Sequence, residues 1–121
     1  VHFRGPFAPP EIDQVLQQLD VLVVPSIWYE NMPITIQEAF RNAVPVVATR
    51  LGGMAEAIRD NLDGRLFPRG DVGALADILT QLAGDRATLE RLAHGRPEVP
   101  SVEEIGAQLV ELYEGLLPGN P

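Results

Sequence analysis

Short apolar runs alternate with helical stripes along this chain of 121 residues. That alternation predicts a mostly parallel sheet covered by helices. Residues 1–3 read as a strand running into Gly5. After the Pro9-Pro10 punctuation, Ile12, Val15, Leu16 and Leu19 recur at helical spacing and predict a helix over residues 11–19. Residues 21–24, all Val or Leu, predict a buried strand stopped by Pro25. A loop carrying Trp28 and Tyr29 leads to a helix over residues 33–42, since proline is well placed in a first turn. Residues 46–49 form the next strand, Gly52-Gly53 turn the chain into a short helix near residues 54–59, and Asp63-Gly64 turn it into a brief strand over residues 65–67. Asp71 caps a helix running to Ala83, and residues 87–94 suggest another. Pro97 and Pro100 set off the tail, so residues 1–96 are read as the domain and residues 97–121 as a linker and C-terminal helix. That helix opens on the capping-box pattern Ser101-Val102-Glu103-Glu104. Its apolar face, Val102, Ile105, Leu109, Leu112, Tyr113 and Leu116, is expected to pack on something.

Composition narrows the function classes. Apolar residues make up 45% of the chain, enough for a core in an ordered α/β domain despite a net charge of -8. The charge argues against nucleic acid and anionic lipid as partners. No apolar run approaches the roughly 20 residues that span a bilayer, and no signal pattern opens the chain, so the expectation is a soluble, cytoplasmic setting without an integral membrane segment. There are no cysteines, which closes off disulfides and thiol chemistry. Lysine is absent as well, and with it any P-loop or Schiff-base lysine. His2 and His94 are far apart and read as surface residues. No Asp-x-Asp pair exists, so no metal site is expected.

The informative stretch runs from Pro25 to Phe40: a strand end, a loop and a helix start. In open α/β sheets ligands bind outside the carboxyl ends of the strands. The helix opening at Pro33 is expected to offer unpaired amides at Ile34, Thr35 and Ile36, and these with the helix dipole favour a phosphate, so that a diphosphate would dock there. Glu38 falls one turn after Ile34 on the same side of the helix, where its carboxylate would meet a ribose attached beyond the phosphate. Glu30 stays on the loop, because Pro33 prevents one continuous helix through both acids. Gly52 and Gly53 are either plain turn residues or positions where a missing Cβ lets backbone approach a ligand. Trp28 and Tyr29 either pack on the loop or another domain, or stack on a sugar. Asp60 and Asp63 read as turn formers. Spacing alone is weak evidence, since 17 acidic residues in 121 often fall eight apart.

The surrounding text is more specific. A strand ending Pro25-Ser26, then Glu30, Pro33 and Glu38-Ala39, resembles the E-x7-E motif of the retaining family 4 glycosyltransferases of GT-B fold. The continuation Ala43-Val44-Pro45-Val46-Val47-Ala48-Thr49, Gly52-Gly53, Glu56 and Asp63-Gly64-Arg65-Leu66-Phe67 is similar in order, over roughly residues 1–95. The resemblance implies part of a Rossmann-like parallel sheet flanked by helices, the C-terminal half of the GT-B fold. It implies that Glu30 is the catalytic-site carboxylate contacting donor sugar hydroxyls, that Asn31, Met32, Pro33, Ile34 and Thr35 present backbone to the sugar and diphosphate, and that Glu38 binds the nucleotide ribose. Gly52 and Gly53 join the donor-binding set, and Glu56 matches an acidic position without an assigned role. No cofactor is implied; the nucleoside diphosphate sugar is a substrate.

The resemblance also implies what lies outside the chain. The family's N-terminal acceptor domain is a missing partner. The family's sheet has the order 3-2-1-4-5-6, and residues 1–3, 21–24, 46–49 and 65–67 would be strands three to six. Two strands between the first and second of these, with their glycine loop and basic residues, would then be missing. The strand at residues 21–24 would keep an unpaired edge, inviting self-association into a homo-oligomer, or a shift of residues 1–3 into the gap. The fragment alone is expected to be inactive. Two other readings stand beside transfer: a glycoside hydrolase using Glu30 and Glu38, which their flanking sequence disfavours, and a non-catalytic nucleotide-binding or protein-interaction module.

Overall fold

The computed structural model describes residues 1–116. Three strands, β1 (Leu22–Val24), β2 (Val46–Thr49) and β3 (Gly64–Phe67), lie in the order β1-β2-β3. Both pairings are parallel, with Leu22 opposite Val46 and Val46 opposite Gly64. The apolar run Val46-Val47-Ala48 makes the central strand because a parallel strand is covered on both faces, and all four residues of β2 are buried.

Successive side chains of β2 enter two different cores, as the period of a strand requires. Val46 and Ala48 join Leu16, Ile36, Phe40 and Met54 on one face. Those residues come from α1 (Ile12–Leu16), α2 (Ile34–Arg41) and α3 (Gly52–Ala57). Val47 joins Phe67, Ile78, Leu82 and Leu92 on the other, under α4 (Val72–Ala83) and α5 (Arg86–Gly95). The expected α/β architecture with helices on both faces is therefore present.

The capping predictions hold at Asp71 and Ser101, and Asp85 caps a third helix for which the sequence predicts no cap. Asp71 accepts from the Ala74 amide at 2.8 Å, Asp85 from Thr88 at 2.9 Å, and Ser101 and Glu104 exchange bonds of 3.1 and 2.7 Å at the start of α6 (Val102–Leu116). Each side chain satisfies an amide that the first helical turn leaves unpaired. The turn before β3 is a small polar knot. Asp63, fully buried, accepts from the Arg59 amide at 2.8 Å and its Nε at 2.6 Å, while Arg59 Nη2 donates to the Gly95 carbonyl at 2.8 Å. Asp60 accepts from the Leu66 amide and from Arg50. Both aspartates form the turn, as their positions suggest.

Several boundaries differ from expectation. Residues 1–3 are not a strand. Val1 and Phe3 are fully exposed, and β1 pairs with β2 alone, so the N-terminal segment does not fill the edge. Three alternating residues have no strand character without a neighbour to receive their hydrogen bonds. The first helix is split into a 3-10 turn, Pro9–Glu11, and a short α1 that stops at Leu16, the last side chain of the segment to reach the core. Pro33 caps α2 with ψ 120°, outside the helix rather than within it. Helix α3 starts at Gly52 and stops at Ala57, because Ile58 is extended and turns its side chain into the core.

The tail crosses the outer side of α2. Val99 packs against the first core, and a groove of about 230 Å³ runs between Ile36 and Phe40 of α2 and Pro97, Val99 and Ile105. Helix α6 has no buried residue, and Leu109, Leu112, Tyr113 and Leu116 are all exposed. Its apolar face, expected to pack, is uncovered among the described residues.

Candidate functional site

Two loops leave the carboxyl ends of adjacent parallel strands and meet. The first, after β1, runs from Pro25 to Pro33 and carries Glu30; the second, after β2, passes Arg50 and Leu51 into the glycines of α3. Parallel order places both loops at the same end of the sheet, where ligands bind in such folds.

The contact between the loops is main chain to main chain. The Gly53 amide donates to the Glu30 carbonyl at 2.8 Å. A Cβ on Gly53 would lie 1.5 Å from the Asn31 carbonyl oxygen and 2.4 Å from its carbon. Gly52 has φ +50°, a left-handed conformation that favours glycine, and a Cβ there would sit 2.9 Å from the Glu30 carbonyl and 3.4 Å from Tyr29 Cδ1. At both glycines the missing Cβ makes room for the Glu30-Asn31 backbone of the neighbouring loop.

Glu30 is half-buried, and its Oε1 accepts from the Ser26 hydroxyl at 3.2 Å; the same Ser26 oxygen accepts from the Trp28 amide at 3.3 Å. Beyond them the loop is open. Trp28 and Tyr29 are 72% and 78% exposed among the described residues.

Helix α2 begins where the Glu30 loop ends. The expected trio of free amides is reduced to two, because Ile36 donates to the Pro33 carbonyl at 3.0 Å in a tight first turn. Among the described residues the amides of Ile34 and Thr35 have no protein acceptor. Asn31, Ile34 and Thr35 are exposed around them, and no side chain caps the helix. Glu38 lies one turn further along, half-buried, with a carboxylate that accepts from no described group. Met32 departs from the others, since its side chain lines the groove beneath the Pro97-Pro100 segment.

The structure thus brings together Glu30, Asn31, Gly52 and Gly53, with the Ile34 and Thr35 amides and Glu38 following on the same helix. Such a surface offers backbone donors and a helix dipole to an anion and carboxylates to hydroxyl groups. Ser26 went unassigned from sequence. The signal was its place four residues before Glu30, across a loop short enough to fold back. Among the described residues no cluster of three or more histidines, cysteines or carboxylates is placed to hold a metal ion, and no helix is long and apolar enough to cross a membrane.

The sequence profile of the family Glycosyl transferases group 1 matches residues 1–85, and the chain belongs to that family. It is 36% identical over 119 residues to a D-inositol 3-phosphate glycosyltransferase of Corynebacterium urealyticum, covering 96% of this chain and 28% of that protein. It is 32% identical over 115 residues to the amylovoran biosynthesis glycosyltransferase AmsK of Erwinia amylovora, covering 88% of this chain and again 28% of the relative. Among solved structures, sucrose-phosphate synthase from Thermosynechococcus elongatus superposes with a TM-score of 0.86 at 28% identity, over 96% of this chain and 30% of that one. HepE of Anabaena, in complex with UDP and glucose, superposes with a TM-score of 0.84 at 26% identity, over 95% of this chain and 32% of that one. The chain spans less than a third of the length of these proteins.

Proposed function

We propose that this chain is the donor-binding part of a retaining glycosyltransferase of the family 4 type, moving a sugar from a nucleoside diphosphate to an acceptor hydroxyl. The observation that carries the reading is that the Glu30 loop, braced against α3 by the Gly53-to-Glu30 bond, runs directly into the start of α2, where the Ile34 and Thr35 amides have no acceptor among the described residues. Glu30 contacts the donor sugar, the Ile34 and Thr35 amides receive the diphosphate, Asn31 to Pro33 line the path between them, and Glu38 binds the ribose in an E-x7-E pair. The leaving diphosphate gains electrostatic stabilisation from the helix start, and neither a cofactor nor an enzyme nucleophile is called for. Membership of the family supports transfer as the reaction, and the UDP and glucose bound by HepE support a uridine donor as the first to try.

Catalysis belongs with a longer protein that supplies an acceptor domain, and a cytoplasmic location goes with that reading. This chain alone is inactive. Its β1 edge, half-buried and paired on one side, favours self-association of the isolated chain. The second reading, a non-catalytic nucleotide-binding or interaction module, is favoured by one observation, the apolar face of α6 from Leu109 to Leu116, exposed among the described residues.

Calorimetric titration with UDP, GDP and ADP, then with the corresponding nucleotide sugars, tests the donor site. Binding of one nucleotide that is lost in Glu38→Ala is the expected result. Absence of binding by all three, in a folded chain, would sink the donor-site reading.

A further inference from the structure

We propose that Ser26 is a positioning residue for Glu30, a role that rests on the reading of Glu30 as the sugar-contacting carboxylate. The Ser26 hydroxyl has one proton and two lone pairs. An ionised carboxylate only accepts and a backbone amide only donates, so the directions are forced. The proton goes to Glu30 Oε1 at 3.2 Å, and a lone pair receives the Trp28 N–H at 3.3 Å.

The arrangement ties the two ends of Glu30 to different supports. Its carbonyl is held by the Gly53 amide at the start of α3. Its carboxylate is held by Ser26, which follows Pro25 directly at the end of β1 and is itself half-buried. The side chains between them give no other anchor, since Ile27, Trp28 and Tyr29 are all at least half exposed. Without the hydroxyl, the long Glu30 side chain would sample several rotamers and lose that freedom on binding. With it, one carboxylate oxygen is already directed, and Oε2, which has no partner among the described residues, remains to accept from a sugar hydroxyl. Order set before the ligand arrives raises affinity by removing that entropic cost.

The role predicts an effect on the sugar and none on the nucleotide. In this chain, Ser26→Ala is expected to weaken UDP-glucose binding roughly five- to tenfold while leaving UDP binding unchanged. Ser26→Thr, which keeps the hydroxyl, is expected to restore it. A ligand-free measurement separates this proposal from the donor-site reading on which it rests. Three-bond Hα–Hβ couplings of Glu30 should report one χ1 rotamer in the wild type and in Ser26→Thr, and averaged rotamers in Ser26→Ala. Unchanged dispersion of the amide spectrum verifies that each variant is folded. Averaged couplings in the wild type, a single rotamer in Ser26→Ala, or equal losses for UDP and UDP-glucose would each overturn the proposal. If the wild type binds neither nucleotide, the donor-site reading fails, and the couplings alone decide whether Ser26 orders Glu30.

Discussion

Replacing Gly53 by alanine sets two effects of opposite sign against each other. Helix propensity favours alanine over glycine by about 1 kcal/mol within α3. Sterics oppose it, because the new Cβ would stand 1.5 Å from the Asn31 carbonyl oxygen, where real contacts do not fall below 3.0 Å. The obstacle is backbone, so no rotamer change relieves it, and the two loops must part by about 1.5 Å, the difference between those distances. Parting by that much breaks the 2.8 Å bond from the Gly53 amide to the Glu30 carbonyl. Overpacking of this kind costs about 1–3 kcal/mol, and a buried backbone group left unpaired about 1–3 more. The steric side wins, by about 1–5 kcal/mol net of propensity. For a domain of this size 1 kcal/mol corresponds to about 4 °C, so Gly53→Ala should melt about 4–20 °C below the wild type by circular dichroism. Gly106→Ala is the matched control. It lies in exposed α6 with nothing within 4 Å of its Cβ, and should stabilise by about 0.5–1 kcal/mol. A Gly53→Ala variant as stable as the wild type would show that the loops are not braced by this contact.

Two further outcomes follow from burial and from capping. Phe40→Ala, at a 2% exposed core position, should cost about 3–5 kcal/mol in urea unfolding, whereas Leu112→Asn, on the uncovered face of α6, should change stability by less than about 0.5 kcal/mol; a large loss in the latter would mean that α6 is covered in solution. The Glu104 carboxyl is held below its ordinary value of 4.5, chiefly by the Ser101 backbone N–H and then by the Ser101 side chain. A lowered folded value means that its capping contribution is complete above about pH 4.5 and is lost as pH falls through the folded value. Carbon-13 titration of the Glu104 carboxyl should show that lowering, and Ser101→Ala, which removes the hydroxyl but keeps the backbone N–H, should reverse only the smaller part of it; a Glu104 carboxyl that titrates at its ordinary value in the wild type would exclude the capping box.

What the sequence made legible was set by how far each signal reaches along the chain. The strands at Leu22–Val24 and Val46–Thr49 announce themselves as apolar runs, and Asp71 and Ser101 cap helices through bonds only three residues long. The start of α2 was legible for the same reason, although the Ile36-to-Pro33 bond removes one amide from the trio expected there. Residues 1–3 were misread because strand character depends on a neighbour that local alternation does not reveal. The fit of Gly53 against Asn31 was out of reach. It is a long-range complementarity between two backbones, and a Gly-Gly pair signals only that something comes close.

Because the brace between the two loops uses backbone atoms on both sides, it is indifferent to the side chains of the Glu30 loop. Trp28, Tyr29 and Asn31 can be exchanged without touching the Gly53 contact, and all three are exposed. Variation at those positions can therefore change the exposed surface of the loop while Glu30 keeps its place. Backbone geometry and exposed side chains sit within one nine-residue loop and are nonetheless free to evolve separately.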